Sequence, residues 1–473
     1  MTAHAVGASR PDVDTRWLVL SVVLLAPLLG ATAVVAPAVA VVLIAGLLFT
    51  AIALHNLAAG VALFTIIAFL ETLPAVAGPG TGAVKAAGVI LVLAALRHSG
   101  APFLLKEQSV LAYGAGFLAA WALASALWAE DMSVAARDGL RLLLGVALVF
   151  IVFAAVRSAR HARWVVWGYL GGATAAALVG LVQPGDSESG RLAGGLGDPN
   201  FLAAMLVPAL VFSIFGLAWT TQPTLRWLLA ALALLFTVAL FLTHSRGGLA
   251  ALGVALLAGL LFGGSVRRQF AVIIVGVAVI GGLYYGAFAP ADAQYRLTSP
   301  GGGSGRTDLW SVATEMIGDH PVLGVGGGNF TLVAPRYVTE DVNLPSVHLV
   351  VDTPQEAHNT YLGVFAELGV VGFLALVGFV LVSLALVRRS TKVFSEASEQ
   401  ELELVSRAVL VGLVGMLAAF FFLSGENEKQ LWLLLGLAIA LHGLATRHAR
   451  TPGSPAAARS GNVPERSRGT RSA

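Results

Sequence analysis

Apolar residues dominate the chain from Trp17 to about Leu444, in runs separated by short polar segments. A helix needs roughly 20 residues to cross a hydrocarbon core of about 30 Å, and many of the runs have this length. No alternating pattern typical of strands competes with them, and helices satisfy their own backbone hydrogen bonds in lipid. The pattern therefore predicts an all-α polytopic membrane protein.

The predicted spans number about fourteen, although twelve is equally defensible because proline or glycine interrupts several of the first four. Their approximate positions are 17–35, 38–54, 57–72, 83–96, 109–128, 140–156, 163–182, 201–219, 226–243, 247–263, 269–288, 360–387, 405–424 and 430–446.

Composition agrees with this prediction. Hydrophobic residues make up 57% of the 473 residues and charged residues only 12%, which leaves too little polar surface for a soluble globule of this size. The chain contains no cysteine. Nucleophilic cysteine chemistry and cysteine-ligated metals are therefore excluded.

Basic residues fall on alternate loops, and the positive-inside bias makes those loops and both termini cytoplasmic. The segments 183–200, 243–247, 289–358 and 425–429 are then outside. This predicts five regions: a cytoplasmic tail 1–16, membrane helices 17–288, a large outer loop 289–358, C-terminal membrane helices 359–446, and a disordered basic cytoplasmic tail 447–473.

The outer loop of about 70 residues is the natural place to look for function, since most connections in a membrane protein are short. Thr307 can cap a helix that runs to about Gly318 and that carries one apolar face toward the membrane domain. Arg306 immediately before this helix would combine a guanidinium with free backbone N–H groups, which suits a phosphate. The alternative is an ordinary surface arginine paired with Asp308 or Asp319.

Two further residues stand at outer helix ends. Arg246 lies between two apolar helices with almost no loop, so its charge is either used or reaches the headgroups by snorkelling. His358 opens the span after the large loop, where an imidazole can take a proton near neutral pH, although a structural histidine is the alternative. Glu367 is the rival base, but on a regular helix it faces away from His358 and lies about 13 Å deeper. It is expected to bond a neighbouring helix.

A metal-dependent enzyme would need clustered carboxylates on the same side as its substrate. The Asp-x-Asp at residues 12–14 is in the cytoplasmic tail, and His348, Asp352 and His358 have no ligand-like spacing. We therefore predict neither a metal site nor a cofactor.

Three motifs in order resemble the O-antigen ligase/polymerase superfamily, over roughly residues 180–445. They are Ser245-Arg246-Gly247-Gly248, then Gly305-Arg306 followed by Trp310 and His320-Pro321-Val322-Leu323-Gly324-Val325-Gly326, and finally His358-Asn359-Thr360-Tyr361-Leu362 followed by Glu367-Leu368-Gly369 and Gly372.

The resemblance implies a C-type glycosyltransferase fold in the bacterial inner membrane, with a periplasmic active site and no need for metal. It implies that a glycan moves from undecaprenyl diphosphate to lipid A core, another glycan or a protein. His358 would act as base, and Arg246 and Arg306 would hold the donor diphosphate. Less constant family elements suggest Arg191 as a further phosphate contact. Possible glycan contacts are Asn200, Asn359 and Tyr361.

Several functions remain open at this point. Ligation to lipopolysaccharide, glycan polymerisation and protein O-glycosylation use one fold with different acceptors. A transporter is the alternative from another class, and it predicts ionisable groups near the middle of several spans together with broken helices. In this sequence the charges gather at the outer helix ends instead.

Overall fold

The structure is a computed structural model that describes residues 37–73, 82–99, 109–182, 190–298, 305–338 and 347–450. Within these residues the regular elements are all helical, with no strand. The predicted tail 1–16, the first predicted span 17–35 and residues 451–473 lie outside the described part of the chain.

Sixteen α-helices occur in the described ranges. The first eight are α1 (Pro37–His55), α2 (Leu57–Ala68), α3 (Gly82–Ser99), α4 (Ser109–Ala124), α5 (Met132–Ala155), α6 (Ala159–Val182), α7 (Pro199–Trp219) and α8 (Pro223–Leu242). The others are α9 (Arg246–Phe262), α10 (Arg267–Leu283), α11 (Ala291–Thr298), α12 (Arg306–Asp319), α13 (Phe330–Val333), α14 (Thr360–Glu396), α15 (Gln400–Ala419) and α16 (Lys429–Arg450).

The prediction of an all-α polytopic membrane protein is confirmed. Among the described residues, nine helices are long and apolar enough to cross a membrane, and three shorter apolar helices accompany them. Every predicted span from 38–54 onward coincides with a helix. The two largest differences in boundaries are at α5, which begins at Met132 rather than 140 because the Asp131 side chain caps it, and at α14, which continues to Glu396 rather than 387.

The helices differ in how deeply they are packed. α7, α15 and α16 are buried on most sides and form the centre of the bundle, whereas α10 is exposed over nearly all of its length. Small residues allow close approach in the centre: a Cβ on Gly145 of α5 would lie 2.5 Å from the indole of Trp432 in α16. α10 therefore offers an apolar surface to lipid.

The connections gather at two ends of the bundle. At one end, which we call the loop face, the Lys429 Nζ contacts Glu71 Oε2 at 2.6 Å and Thr72 Oγ1 donates to Gly195 O at 2.7 Å. The other end, the opposite face, carries the Arg163–Glu401 ion pair at 2.9 Å. The described parts of the segments predicted to be outside lie on the loop face, and the described arginine-rich connections lie on the opposite face.

The large loop is anchored to a break in α14. Gly369 has φ 65° and ψ −173°, which interrupts the helix and frees its backbone groups. Loop residues 321–326 occupy those groups. Val325 N donates to Ala366 O at 3.0 Å, Gly326 N donates to Glu367 O at 2.8 Å, and Val370 N donates to Pro321 O at 2.9 Å. A Cβ on Gly369 would lie 2.0 Å from Val322 O, so only glycine fits there.

The apolar face predicted for the loop helix exists, and it packs on other loop residues as well as on the membrane domain. Leu309, Val312, Ala313 and Met316 of α12 are buried in a small separate core. The other members come mainly from the loop itself, joined by Ala357 and by Ala366 of α14. The loop thus folds around its own core, and through this core α12 also contacts the membrane helix α14.

Candidate functional site

Arg246 is the first residue of α9, where its motif fixes it closely. The Ser245 hydroxyl accepts from Gly248 N at 3.1 Å and so caps the helix. A Cβ on Gly247 would lie 2.8 Å from the Phe422 side chain, and one on Gly248 would lie 2.5 Å from Ala203. The two glycines therefore let the arginine-bearing helix start pack directly against neighbouring helices.

Arg191 is joined to the same helix start through an asparagine. Its Nε donates to Thr243 O and one of its terminal nitrogens donates to Asn200 Oδ1, both at 2.9 Å. Asn200 Oδ1 also accepts from the Ser245 hydroxyl at 2.9 Å. Asn200 thus links two segments that are about fifty residues apart in sequence, and brings Arg191 to the loop face beside Arg246.

Arg306 is the first residue of α12, not the residue before it. Gly305, with φ 57°, occupies the capping position and makes no side-chain cap, so the predicted cap at Thr307 is wrong. Thr307 is already helical and exposed. Burial lowers the pKa of Arg306, the charges of Arg246 and Arg191 lower it further, and Asp198 opposes them. A guanidinium remains charged at physiological pH despite this shift.

His358 lies in the left-handed region with φ 48°, which is uncommon for a residue other than glycine and often marks a functional position. Its neighbours hold it there. The Trp310 indole of α12 donates to Ala357 O at 3.1 Å, and Thr360 N donates to Leu423 O at 2.7 Å. The histidine is therefore fixed between the loop core and the 3-10 turn that ends α15.

The electrostatics of His358 favour the neutral imidazole. Burial lowers the pKa of His358 below its usual value, and the nearby positive charge of Arg306 lowers it further, while Asp198 acts in the opposite direction. A neutral imidazole at neutral pH can accept a proton.

The structure therefore brings together the residues on which the sequence analysis depends most. Arg191, Arg246 and Arg306 are close enough for their charges to interact, and Arg306 and Asp198 act on His358. We call these five residues the loop-face cluster. It combines three guanidinium groups, which suit an anion such as a diphosphate, with one neutral proton acceptor.

The predicted glycan contacts Asn359 and Tyr361 have structural partners within the protein. Asn359 is buried, and its side chain caps α14 by accepting from Tyr361 N and Leu362 N. The Tyr361 hydroxyl donates to Leu417 O at 2.9 Å. Asn200 likewise has partners within the protein, Arg191 and Ser245. A direct contact between any of the three residues and a glycan stays a prediction.

Glu367 bonds a helix, as the sequence analysis expected, but that helix is the short α13 of the large loop rather than a membrane span. Its carboxylate accepts from Phe330 N of the loop at 3.1 Å, just before the break in α14. The glycine-rich stretch 324–328 is a tight turn, with positive φ at Gly324, Gly326 and Gly328. Glu367 thus belongs to the anchor of the loop.

Sequence reasoning missed a histidine and tyrosine pair beside the cluster. His244, with φ 49°, lies within 2.6 Å of the Tyr284 hydroxyl through its Nε2, and the two rings stack at 6.0 Å. Tyr284 and Tyr285 occupy a single π-helical turn at the end of α10, a feature that is frequent at functional sites. The sequence signal that could have revealed this pair is the position of Tyr284 and Tyr285 at the predicted outer end of a span.

A buried carboxyl group in the turn 425–429 was also missed. Burial raises the pKa of Glu426 to about 8, and the nearby carboxylates of Asp138 and Glu356 raise it as well. The residue is partly accessible, but its Oε2 has no solvent contact. Asn427 beside it donates to Asp138 at 2.7 Å, which ties this turn to α5.

Among the described residues, no group of three or more histidine or carboxylate side chains is arranged to hold a metal ion.

Fold and site together define a class: a polytopic helical membrane protein with a cluster of arginines and one histidine at a single face. Residues 231–377 match the family model described as O-antigen ligase. This segment contains Arg246, Arg306, His358 and the break at Gly369. The match supports membership of the O-antigen ligase superfamily, as the motifs predicted, and indicates an O-antigen ligase-like function. A search of curated proteins finds no significant match.

Proposed function

We propose that the protein transfers a glycan from undecaprenyl diphosphate to an acceptor hydroxyl on the outer side of the bacterial inner membrane, as an O-antigen ligase does. One observation carries the proposal: Arg306 lowers the pKa of a buried histidine, His358, and Arg191 and Arg246 lie close enough to Arg306 for their charges to interact with it. The family match agrees with this class of reaction.

The arginines bind the leaving group. When the bond between the anomeric carbon and the diphosphate oxygen breaks, negative charge grows on the diphosphate. Arg246 and Arg306, assisted by Arg191, meet that charge with guanidinium groups. The first two residues are held at helix starts, and hydrogen bonds fix the guanidinium of Arg191. Such preorganised positive groups stabilise a transition state most where water is excluded. They take the part that a metal ion has in many other glycosyltransferases.

His358 is the general base. Its neutral imidazole takes the proton of the acceptor hydroxyl as the hydroxyl oxygen bonds to the anomeric carbon. The products are the glycosylated acceptor, the free lipid diphosphate and a protonated histidine, which returns its proton to water. Asp198, which raises the pKa of His358, favours this protonated form after transfer.

The orientation follows from the two faces. Arginine-rich connections lie on the opposite face, so that face is cytoplasmic, and the loop-face cluster is periplasmic. The exposed helix α10 ends beside the cluster, at Tyr284 and Tyr285. A lipid-linked donor held in the outer leaflet can reach the arginines from this side.

The transporter alternative expects broken helices, and α14 is broken at Gly369. The freed backbone groups at this break bond to loop residues 321–326. The break therefore anchors the loop and does not favour a transporter. A glycan polymerase or a protein O-oligosaccharyltransferase would use the same cluster with another acceptor. The ligase is favoured because the matched family is described as O-antigen ligase.

The proposal is tested with the purified full-length protein, an undecaprenyl-diphosphate-linked glycan and lipid A core. We expect glycosylated acceptor and free lipid diphosphate to appear in equal amounts. Glycan chains that lengthen on the donor without reaching the core would indicate a polymerase. Hydrolysis without any transfer, or no release of lipid diphosphate with any acceptor, would contradict the proposal.

A further inference from the structure

A second polar site lies on the opposite face, at the other end of the bundle from the loop-face cluster. A cavity of about 240 Å³ opens there, lined by His55, His98, Arg157 and His161 together with Asn56 and a few small apolar residues. Its lining contains four basic or protonatable side chains and no carboxylate.

The cavity is formed where several helix ends meet. α1 ends at His55, α2 begins after Asn56 and α3 ends just beyond His98. The connection between α5 and α6 supplies Arg157, and the first turn of α6 supplies His161. Asn56 caps α2 by accepting from Ala59 N at 3.1 Å. Ends of apolar helices lie at the level of lipid headgroups, so the cavity is placed where headgroup phosphates are found.

Arg157 and His161 are half-buried at the inner part of the cavity and are held in place, whereas His55 and His98 are exposed at its rim. The Arg157 Nε donates to Ala154 O at 2.9 Å. His161 Nδ1 lies 3.3 Å from Arg157 N, which donates to it, so the proton of the neutral ring is on Nε2. The inner part therefore offers a fixed guanidinium and an imidazole whose ring is also held by the Ala155 carbonyl.

The surrounding charges strengthen this character. Arg97 precedes His98 at the end of α3, and Arg160 stacks over Trp164 at the start of α6, 4.8 Å from the ring centre. The carboxylate of Glu401 in α15 is already paired with Arg163 of α6. An anion entering the cavity meets positive charge from α3, from α6 and from the connection that precedes α6.

We propose that this cavity binds a phosphate group, either of an anionic phospholipid in the leaflet at the opposite face or of a soluble phosphate ester. A guanidinium and several imidazoles suit phosphate oxygens, and basic pockets between membrane helices on the cytoplasmic side bind lipid headgroups of this kind. The proposal concerns a site separate from the loop-face cluster and does not depend on the transfer reaction.

The test uses the full-length protein in detergent, titrated with phosphatidylglycerol and, separately, with glycerol phosphate, while native mass spectrometry counts the bound molecules. Arg157→Gln removes the inner charge. His161→Asn removes the Nε2–H donor but keeps an acceptor near the position of Nδ1. The matched control is Arg226→Gln, an exposed arginine on the same face that does not line the cavity.

We expect Arg157→Gln and His161→Asn each to weaken binding at least about fivefold, and Arg226→Gln to leave it unchanged. Arg157→Lys, which keeps the charge without the planar fork, should retain part of the affinity and shows that loss of folding is not the cause. Binding of phosphatidylglycerol but not glycerol phosphate identifies a lipid site, and binding of both identifies a general phosphate site. Equal binding by all variants, or no saturable binding of either probe, overturns the proposal.

Discussion

Replacing Gly369 by alanine should detach the large loop from the membrane helices. Gly369 occupies a backbone conformation that is essentially confined to glycine, and forcing another residue into it costs about 1–3 kcal/mol. The added Cβ would also lie 2.0 Å from Val322 O, a backbone atom that cannot move without the loop. The structure therefore predicts that the variant relieves the strain by giving up the contacts at the break.

The size of the effect follows from those contacts. Three backbone hydrogen bonds join loop residues 321–326 to α14. At about 1 kcal/mol each, their loss weakens the docked state by roughly 3 kcal/mol, which is about a hundredfold in the docking equilibrium. Because Trp310 and Arg306 belong to this loop, its detachment also frees His358 and disturbs the loop-face cluster. We therefore expect transfer activity to fall by a similar factor.

Hydrogen exchange measured by mass spectrometry provides the assay. In the Gly369→Ala variant, the amides of Val325, Gly326 and Val370 should exchange about a hundredfold faster than in the unaltered protein. The matched control is Gly378→Ala in the same helix, where an added Cβ meets no atom within 4 Å. Unaltered protection and activity in Gly369→Ala would refute the role of the break as the anchor of the loop.

Three further predictions follow from the site and its orientation. Because the pKa of His358 is lowered and the neutral ring is the base, the rate should fall only below the ordinary histidine pKa of about 6.5. Asp198→Asn keeps the helix cap but removes a charge that raises the pKa of His358, so the rate should then fall only at a still lower pH. A wild-type rate that already falls above pH 6.5 would argue against a histidine base. Transfer should survive EDTA, and an activity that disappears and returns with Mg²⁺ would show that the arginines do not suffice. In this cysteine-free chain, an impermeant thiol reagent should label Ser311→Cys but not Lys392→Cys in spheroplasts, and the reverse labelling would invert the proposed topology.

The helices, and the site residues Arg246, Arg306 and His358, could be predicted from the sequence because their positions depend on local patterns. In lipid, each span satisfies its own backbone hydrogen bonds, so its position depends on local hydropathy alone. The apolar face of α12 could be predicted in the same way from its helical spacing. Arg246, Arg306 and His358 stand at helix starts, where short motifs mark them directly.

The remaining features depend on contacts between distant segments. Arg191 reaches Arg246 only through Asn200, and no local pattern encodes that bond. Glu367 finds its partner in a loop 37 residues earlier, because the loop returns to fill the break at Gly369. The cap predicted at Thr307 is wrong because Gly305, in a left-handed conformation, takes the capping position two residues earlier, without a side-chain cap.

The central claim is that His358 performs chemistry while the arginines bind the donor diphosphate. It is tested most directly by measuring both transfer rate and affinity for the lipid diphosphate in purified His358→Ala and Arg246→Lys, with His348→Ala as a control histidine in an exposed part of the loop. We predict that His358→Ala lowers the transfer rate about 10²–10⁴-fold with nearly unchanged affinity. Arg246→Lys should lose both affinity and rate, since an ammonium lacks the planar fork, and the control should keep both. Turnover by His358→Ala at the wild-type rate, or equal donor affinity in every variant, would contradict the account.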